Sequence, residues 1–572
     1  MKIKLTIVLL LLIQQLLAQQ ATRFDIVIDE IMTDPTPALG LPNTEFIELK
    51  NVSAQPLNLN GWHIGDATGF ATIGTNFILQ PDSFVVLCTN SAVAALSVFG
   101  TTLGISGFPS LDNNADQLYL RSKEGKIIHA VDYNADWYQN SVKKEGGWTL
   151  EMIDTRNPCS GINNWAASND LKGGTPGRKN SVDAINIDQQ PPVLVRAFAT
   201  DSITITLLFD EPMDSLAAAT EANYTISDGI GSVQSAKAVA PSFNRVQIRT
   251  TVPLIKNKVY TITAVNTTDC AGNTIGAYNK TKLGWAAATI DSFGLVINEI
   301  LFNPKPGGAD YIELYNRSNA IIDLKDCYIA NRAANGNIGS LKQVSTETRL
   351  VFPQEYLVIT EDAAIVEQQY LSKQPGAFAE IASMPSFPDD KGTVVLLNTQ
   401  GKIIDELKYD EHWHFKLIDN DEGVALERID YNTPTQDAGN WHSAATNTGY
   451  GTPGYQNSQF RTSVQVQGSI TVSPGIFSPD NDGFDDFATV NYRFPDAGYV
   501  CNIIIFDANG RPVRYLTRNA LCGLNGYFRW DGLDEKNTKL PIGAYIVYTE
   551  IFNAQGKTNR FKNALILARG LR

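Results

Sequence analysis

Short runs rich in Ile, Val, Leu and aromatic residues recur along the chain, each bounded by Gly, Pro, Asn or Asp. Runs of this length between turn residues read as strands. In Phe46-Ile47-Glu48-Leu49 the alternation places Phe46 and Glu48 on one face of a strand and Ile47 and Leu49 on the other. Leu118-Tyr119-Leu120 and Ile127-Ile128 flank a glycine-containing turn, which predicts a hairpin. Ile203-Thr204-Ile205-Thr206-Leu207 alternates in the same way. No long apolar pattern of helical period interrupts these segments, so the expected fold class is all-β, a sandwich or a barrel.

The pattern also repeats itself. Two segments of about 160 residues match in order and spacing. Val27-Ile28-Asp29-Glu30-Ile31-Met32 with Asp34-Pro35 corresponds to Val296-Ile297-Asn298-Glu299-Ile300-Leu301 with Asn303-Pro304. Phe46-Ile47-Glu48-Leu49-Lys50-Asn51 corresponds to Tyr311-Ile312-Glu313-Leu314-Tyr315-Asn316. Gly125-Lys126-Ile127-Ile128 corresponds to Gly401-Lys402-Ile403-Ile404, and Trp137 to Trp413. Both copies close with Leu-Glu (Leu150-Glu151, Leu426-Glu427), Asn-Trp (Asn164-Trp165, Asn440-Trp441) and Gly-Thr-Pro-Gly (174–177, 451–454). The spacing between copies changes only between the matched blocks, as expected when loops vary and strands do not.

These motifs resemble the lamin tail domain, an Ig-like β-sandwich, through (I/V)-(N/D)-E-I-x-x-(N/D)-P, (F/Y)-I-E-L-x-N and the closing N-W…G-T-P-G. In nuclear lamins that domain serves protein and chromatin interaction; in exported bacterial proteins it is an accessory module. Between the copies, Phe209-Asp210-Glu211-Pro212-Met213-Asp214 and Asp269-Cys270-Ala271-Gly272-Asn273 are similar to turns of bacterial Ig-like domains of surface proteins. After the second copy, Trp530-Asp531-Gly532 and Pro541-Ile542-Gly543-Ala544-Tyr545 resemble the Ig-like domain of flagellar hook-capping proteins. They also resemble the C-terminal domains that direct Bacteroidetes proteins through type nine secretion. The expected organisation is a signal peptide at 1–18, a first lamin-tail-like domain at 19–182, an Ig-like domain at 190–290, a second lamin-tail-like domain at 293–460 and a C-terminal Ig-like domain at 466–572.

Lys2 and Lys4 precede an apolar run from Leu5 to Leu17 that closes at Ala18-Gln19-Gln20, the order of a secretory signal peptide cleaved after Ala18. No cysteine follows, which argues against a diacylated lipoprotein anchor, and no later stretch has the ~20 apolar residues of a membrane helix. The expected mature protein is therefore secreted or held at the cell surface; the resemblance of the C-terminal domain implies outer-membrane association.

Charge and composition narrow the chemistry. The chain has 572 residues, 46 basic against 60 acidic, a net of −14. An acidic surface repels phosphate backbones, so neither nucleic acid nor chromatin is an expected partner. Five His and six Cys are too few for a disulfide-dense scaffold or several zinc modules. Among the cysteines only Cys501 and Cys522 fall close together within one expected domain; they are either bridged or buried thiols.

Asp480, Asp482, Asp485 and Asp486, with Gly483 at the turn, form the candidate calcium site, because alternating carboxylates around a glycine converge oxygens on a hard cation. The competing reading is that these Asp cap a loop. Glu30, Glu48 and Glu151 recur as Glu299, Glu313 and Glu427; recurrence in both copies points to structural hydrogen bonds with backbone rather than to a glycosidase pair. His412 and His414 alternate around Trp413, which places both imidazoles on one strand face, a pair the first copy lacks. Trp165 and Trp441 are expected in cores, while Trp62 and Trp148 suit either a core or a sugar-stacking surface. No nucleophile elbow, phosphate loop, zinc-protease or dinucleotide motif occurs. The expected function is that of an exported, non-enzymatic string of β-sandwiches acting as a binding or adhesion scaffold for a protein or glycan ligand. The alternatives are an exported hydrolase or its accessory subunit, and a structural part of a secretion or gliding apparatus.

Overall fold

The computed structural model describes residues 21–569 except 67, 287–289, 419, 462–467 and 555–557. The expected signal peptide lies outside the described residues. The chain is a set of tandem β-sandwich domains, and it divides into two compact units. The first runs to Leu254 and resumes at Tyr260–Leu283; the second comprises Ile255–Val259 and the chain from Gly284 onward.

In the first unit, the first lamin-tail-like copy has a six-stranded sheet in the order Trp165–Ala167, Leu150–Met152, Ile26–Met32, Phe46–Asn51, Phe84–Thr89, Thr102–Ile105. Only the last pair is parallel. A four-stranded sheet of Ile127–Asn134, Ala115–Arg121, His63–Gly65 and Phe70–Thr72 supplies the second layer. Ile28, Ile31, Ile47, Leu49, Leu118, Leu120 and Trp165 fill the core between the layers. The opening strand, I-V-I-D-E-I-M, is buried throughout and is not a simple alternation. A β-bulge between Ile28 and Glu30 explains it, because the extra residue Asp29 reverses the facing of everything after it. Ile28 and Ile31 both reach the inner core, and Glu30 and Met32 are turned to the outer face. The Ig-like domain of this unit pairs a sheet of Leu194–Ala199, Thr204–Phe209, Arg245–Arg249 and Ser235–Val239 with one of Gly231–Ser232, Tyr224–Ile226, Tyr260–Ala264 and Lys280–Leu283.

In the second unit, the second copy repeats the six-stranded sheet as Trp441–Ser443, Leu426–Arg428, Leu295–Leu301, Tyr311–Asn316, Tyr356–Thr360 and Phe378–Glu380. Its bulge falls between Ile297 and Glu299, the equivalent place. The last domain sets three strands, Ser469–Ser473, Ala488–Arg493 and Asn525–Trp530, against a five-stranded sheet built on Tyr499–Phe506 and Gly543–Asn553. Trp530, Phe477, Tyr492 and Tyr545 lie in its core.

Trp165, Trp441 and Trp62 are core residues as well, and Trp148 packs partly buried against the first core. The His412 and His414 expectation fails. Asp410 ends its strand by accepting the His412 N–H at 2.9 Å and starts a 3-10 turn over Glu411–Trp413. The turn leaves the His412 side chain 74% exposed and buries His414 against Ser443, so the two imidazoles do not share a face. Cys501 and Cys522 are buried thiols without a bridge, and Cys522 Sγ donates to the Ala520 carbonyl at 3.6 Å. The disulfide in the structure joins Cys159 to Cys270.

Candidate functional site

The outer face of each six-stranded sheet carries a buried carboxylate box. In the first copy, Glu30 lies opposite Glu48 on one neighbouring strand and Glu151 on the other. All three are fully buried. A strap, residues 174–182, crosses above them and supplies hydrogens. Thr175 donates its N–H to Glu30 at 2.6 Å and its hydroxyl to Glu151 at 2.8 Å. Gly177 N–H donates to Glu48, and Ser181 Oγ donates to Glu151 at 2.7 Å. The second copy repeats this with residues 451–459: Thr452 and Gly454 donate to Glu299 and Glu313 at 2.9 and 2.6 Å, and Ser458 to Glu427 at 2.8 Å. The recurring glutamates are therefore acceptors for strap N–H and O–H groups. Burial, with Glu427 adding repulsion, pushes the Glu299 carboxyl up to about 8. Burial likewise holds Glu30 and Glu48 well above the ordinary range.

A second feature is the joint between the first copy and the Ig-like domain, both in the first unit. Cys159 and Cys270 tie the two domains with Cα atoms 6.3 Å apart. Beside the disulfide, Arg23 lies over the Phe24 ring at 4.5 Å and the Phe243 ring at 4.2 Å, and donates to the Met213 carbonyl at 3.3 Å. Around these contacts opens a cavity of about 520 Å³, lined by Arg23, Asn163, Asp188, Asp210, Glu211 and others. Such a volume suits a small ligand or one side chain group of a larger one. The two Ig-like turns meet here through the Met213–Asp269 bridge. Carboxylate oxygens of Asp188, Glu211 and Asp269 lie within 4.8 Å of one another. Burial and the charges of Asp269, Asp188 and Asp210 push Glu211 up to about 8. Sequence reasoning missed this cluster, because its members belong to a linker and two turns that only the folded joint assembles.

In the last domain, Asp480, Asp482 and Asp486 bring oxygens within 4.8 Å of one another, and Asp485 stays outside that group. Asp485 adopts a left-handed conformation, φ 48°, and contributes its carbonyl to the Ser478 N–H. Asp486 accepts the N–H groups of Asn481 and Gly483 at 2.6 and 2.9 Å, and Asp482 accepts that of Phe484 at 2.8 Å. The loop thus uses the carboxylates as turn caps and keeps three of them close.

The family model of the lamin tail domain matches residues 19–135 and 288–411, and that of a bacterial Ig-like domain matches residues 187–287. The chain carries two lamin tail domain regions with a bacterial Ig-like domain between them. The matched lamin tail stretches stop short of the closing strands and straps, which the structure adds to both domains. No curated protein matches the sequence. Among solved structures, the N-terminal part of the bacterial S-layer protein SbsC is similar at 17% identity and a TM-score of 0.15, covering 30% of this chain and 40% of its own. A tetra-tandem repeat from the extending region of a large adhesion protein is similar at 12% identity and a TM-score of 0.13, covering 95% and 99%. A Ca2+-stabilized adhesin of an ice-binding Antarctic bacterium follows at 10% identity and a TM-score of 0.12, covering 96% and 100%. The chain spans less than half of that SbsC fragment, and at these TM-scores none of the three carries a functional argument.

The two lamin tail domains meet one backbone requirement in different ways. The bulge leaves the N–H before it needing an acceptor. In the first domain Ile28 N–H donates to His129 Nδ1 at 2.9 Å. In the second Ile297 N–H donates to Asp405 Oδ2 at 2.8 Å. The imidazole stays neutral, burial holding it down to about 4. The carboxylate faces the buried Arg428 guanidinium at 3.7 Å, where the first domain has Met152. The first domain thus uses a neutral acceptor, and the second balances a charged one with Arg428.

Proposed function

We propose that this chain is an exported, non-enzymatic scaffold of β-sandwich domains that binds a protein or glycan ligand at the cell surface, with the cavity at the Cys159–Cys270 joint as the seat of the ligand. The observation that carries the reading is the disulfide between two domains. Such a bond persists in oxidising compartments, and it holds the joint around the cavity in one geometry. The expected signal peptide supports export, and the resemblance of residues 466–572 to type nine secretion domains supports attachment to the outer membrane. Cell fractionation with and without residues 466–572 tests the location; equal release of both forms would remove the targeting role. A glycan and matrix-protein array probed with the whole chain and with Glu211→Gln tests the seat. Turnover of a substrate by the purified protein, with no ligand retained, would overturn the scaffold reading.

Calcium at Asp480, Asp482 and Asp486 is part of the same proposal, since three carboxylates on one short loop suit a hard cation. Calcium is expected to raise the melting temperature of the last domain, and Asp482→Ala to abolish the rise. An unchanged melting temperature in calcium would leave the loop as a turn only.

A further inference from the structure

The two carboxylate boxes differ at the bulge residue. In the second domain that residue is Asn298, and its amide nitrogen donates to Glu313 Oε1 at 2.7 Å while Gly454 N–H serves Oε2 at 2.6 Å. Both oxygens are satisfied. In the first domain the bulge residue is Asp29, which has no hydrogen to give when ionised. Gly177 N–H still serves Glu48 Oε2. Glu48 Oε1 and Asp29 Oδ1, however, have no hydrogen-bonding partner among the described residues, although the side chains are 0% and 1% exposed. Glu30 Oε2 is unpartnered among them as well, Phe46 standing where Tyr311 donates to Glu299 in the second domain. A buried acceptor left unmet is costly, and two like charges in one dry site are more so. The hydrogen that Asn298 supplies in one domain is missing from the other.

We propose that Asp29 and Glu48 share a proton in the closed first domain, and that this proton latches the strap 174–182 over the sheet. Both residues hold the strap directly: Glu48 through Gly177, and Asp29 through its carbonyl, which accepts from Asn180 Nδ2 at 3.0 Å. The surrounding charges favour the proton. Glu30 on the same strand and Glu151 on the next repel a second negative charge. Asp183 at the end of the strap adds to this, its carboxylate paired with Lys179 at 2.6 Å. Lys50 favours the ionised form of Asp29, as the Gly177 N–H does that of Glu48, but Lys50 is drawn to Asp82 at 3.5 Å. Burial is the largest cause and pushes Asp29 up to about 7.

The sign follows from these groups. An open strap exposes Asp29 and Glu48 to water, where they ionise near pH 4. The closed box keeps a proton that the open one has lost, so the latch is complete below about pH 4 and weakens as the pH rises through about 7. The second box also buries its carboxyls, Glu299 and Glu313 among them, so its strap opens more readily as the pH rises too; Asp29 adds to that dependence in the first strap alone.

The test is hydrogen exchange of the full chain between pH 5 and 7, read as the ratio of protection in peptides covering 174–182 and 451–459. Taking the ratio cancels the pH dependence of chemical exchange after sequence correction. The ratio is expected to fall with rising pH in the natural protein, to lose most of that slope in Asp29→Asn, and to fall less steeply or reverse its trend in Asn298→Asp. Asp29→Asn recreates the arrangement of the second domain, so it is expected to fold. As an independent reading, the infrared band of a protonated carboxyl at pH 6 is expected to lose intensity in Asp29→Asn. A ratio that is flat in the natural protein, or a slope and band unchanged by Asp29→Asn, would overturn the shared proton.

Discussion

Replacing the strap glycines with alanine tests whether the straps close as described, and it separates the two domains. Gly177 and Gly454 occupy equivalent positions in left-handed conformations, φ 80° and 85°. Alanine pays about 1–2 kcal/mol for that conformation in either place. The surroundings differ. A Cβ on Gly177 would stand 2.5 Å from both the Gly100 Cα and the Phe99 carbonyl oxygen, so backbone must move. A Cβ on Gly454 would meet nothing nearer than Ala377 Cβ at 3.4 Å, an ordinary contact. Overpacking of the first kind typically adds 1–3 kcal/mol. Gly177→Ala is therefore expected to cost roughly 2–5 kcal/mol and Gly454→Ala roughly 1–2 kcal/mol. A multidomain chain does not unfold in one step, so a single optical midpoint would blur the comparison. Hydrogen-exchange labelling across a urea series resolves it, with peptides from each six-stranded sheet reporting their own midpoint. The first domain's midpoint should drop well beyond the second's. Equal costs, or a larger cost at Gly454, would refute the close approach of the first strap to Phe99-Gly100.

Two further outcomes follow from the joint and from the bulge. Cys159→Ser with Cys270→Ser opens a loop of sequence separation 111, and for about 100 residues the chain-entropy contribution is near 4.7 kcal/mol. The urea midpoint of Ig-like peptides should fall accordingly, reductant should reproduce the fall in the natural protein, and indifference to both would remove the staple. Arg428→Met strands the buried Asp405 carboxylate and should cost about 3–5 kcal/mol in the second domain. Adding Asp405→His rebuilds the imidazole and methionine pair of the first domain and should recover much of that loss, a coupling that a double-mutant cycle in urea reads directly.

What could be read in the sequence, and what could not, divides along the range of the interactions. Strands, hairpins and the duplication depend on neighbours along the chain, and they stand in the structure where Phe46, Ile47 and the 118–128 turn place them. The repeated Glu30, Glu48 and Glu151 were legible as structural acceptors because the same residues recur with the same closing Gly-Thr-Pro-Gly. The strap that serves them was not, since Thr175 and Gly177 reach Glu30 and Glu48 across more than a hundred residues. The bulge hid inside a strand that is buried throughout, where Asp29 and Glu30 interrupt the apolar residues without ending the strand or marking a change of face. The Cys159–Cys270 bond crosses a domain boundary, so spacing within a domain pointed instead to Cys501 and Cys522. Duplication offsets some of this loss. When two copies of one fold share a buried network, a difference such as Asp29 against Asn298, or His129 against Asp405, is a substitution already made in a matched background. Its consequence can be read by comparing the two hydrogen-bond patterns: the first difference changes where a proton sits, and the second whether the acceptor carries a charge.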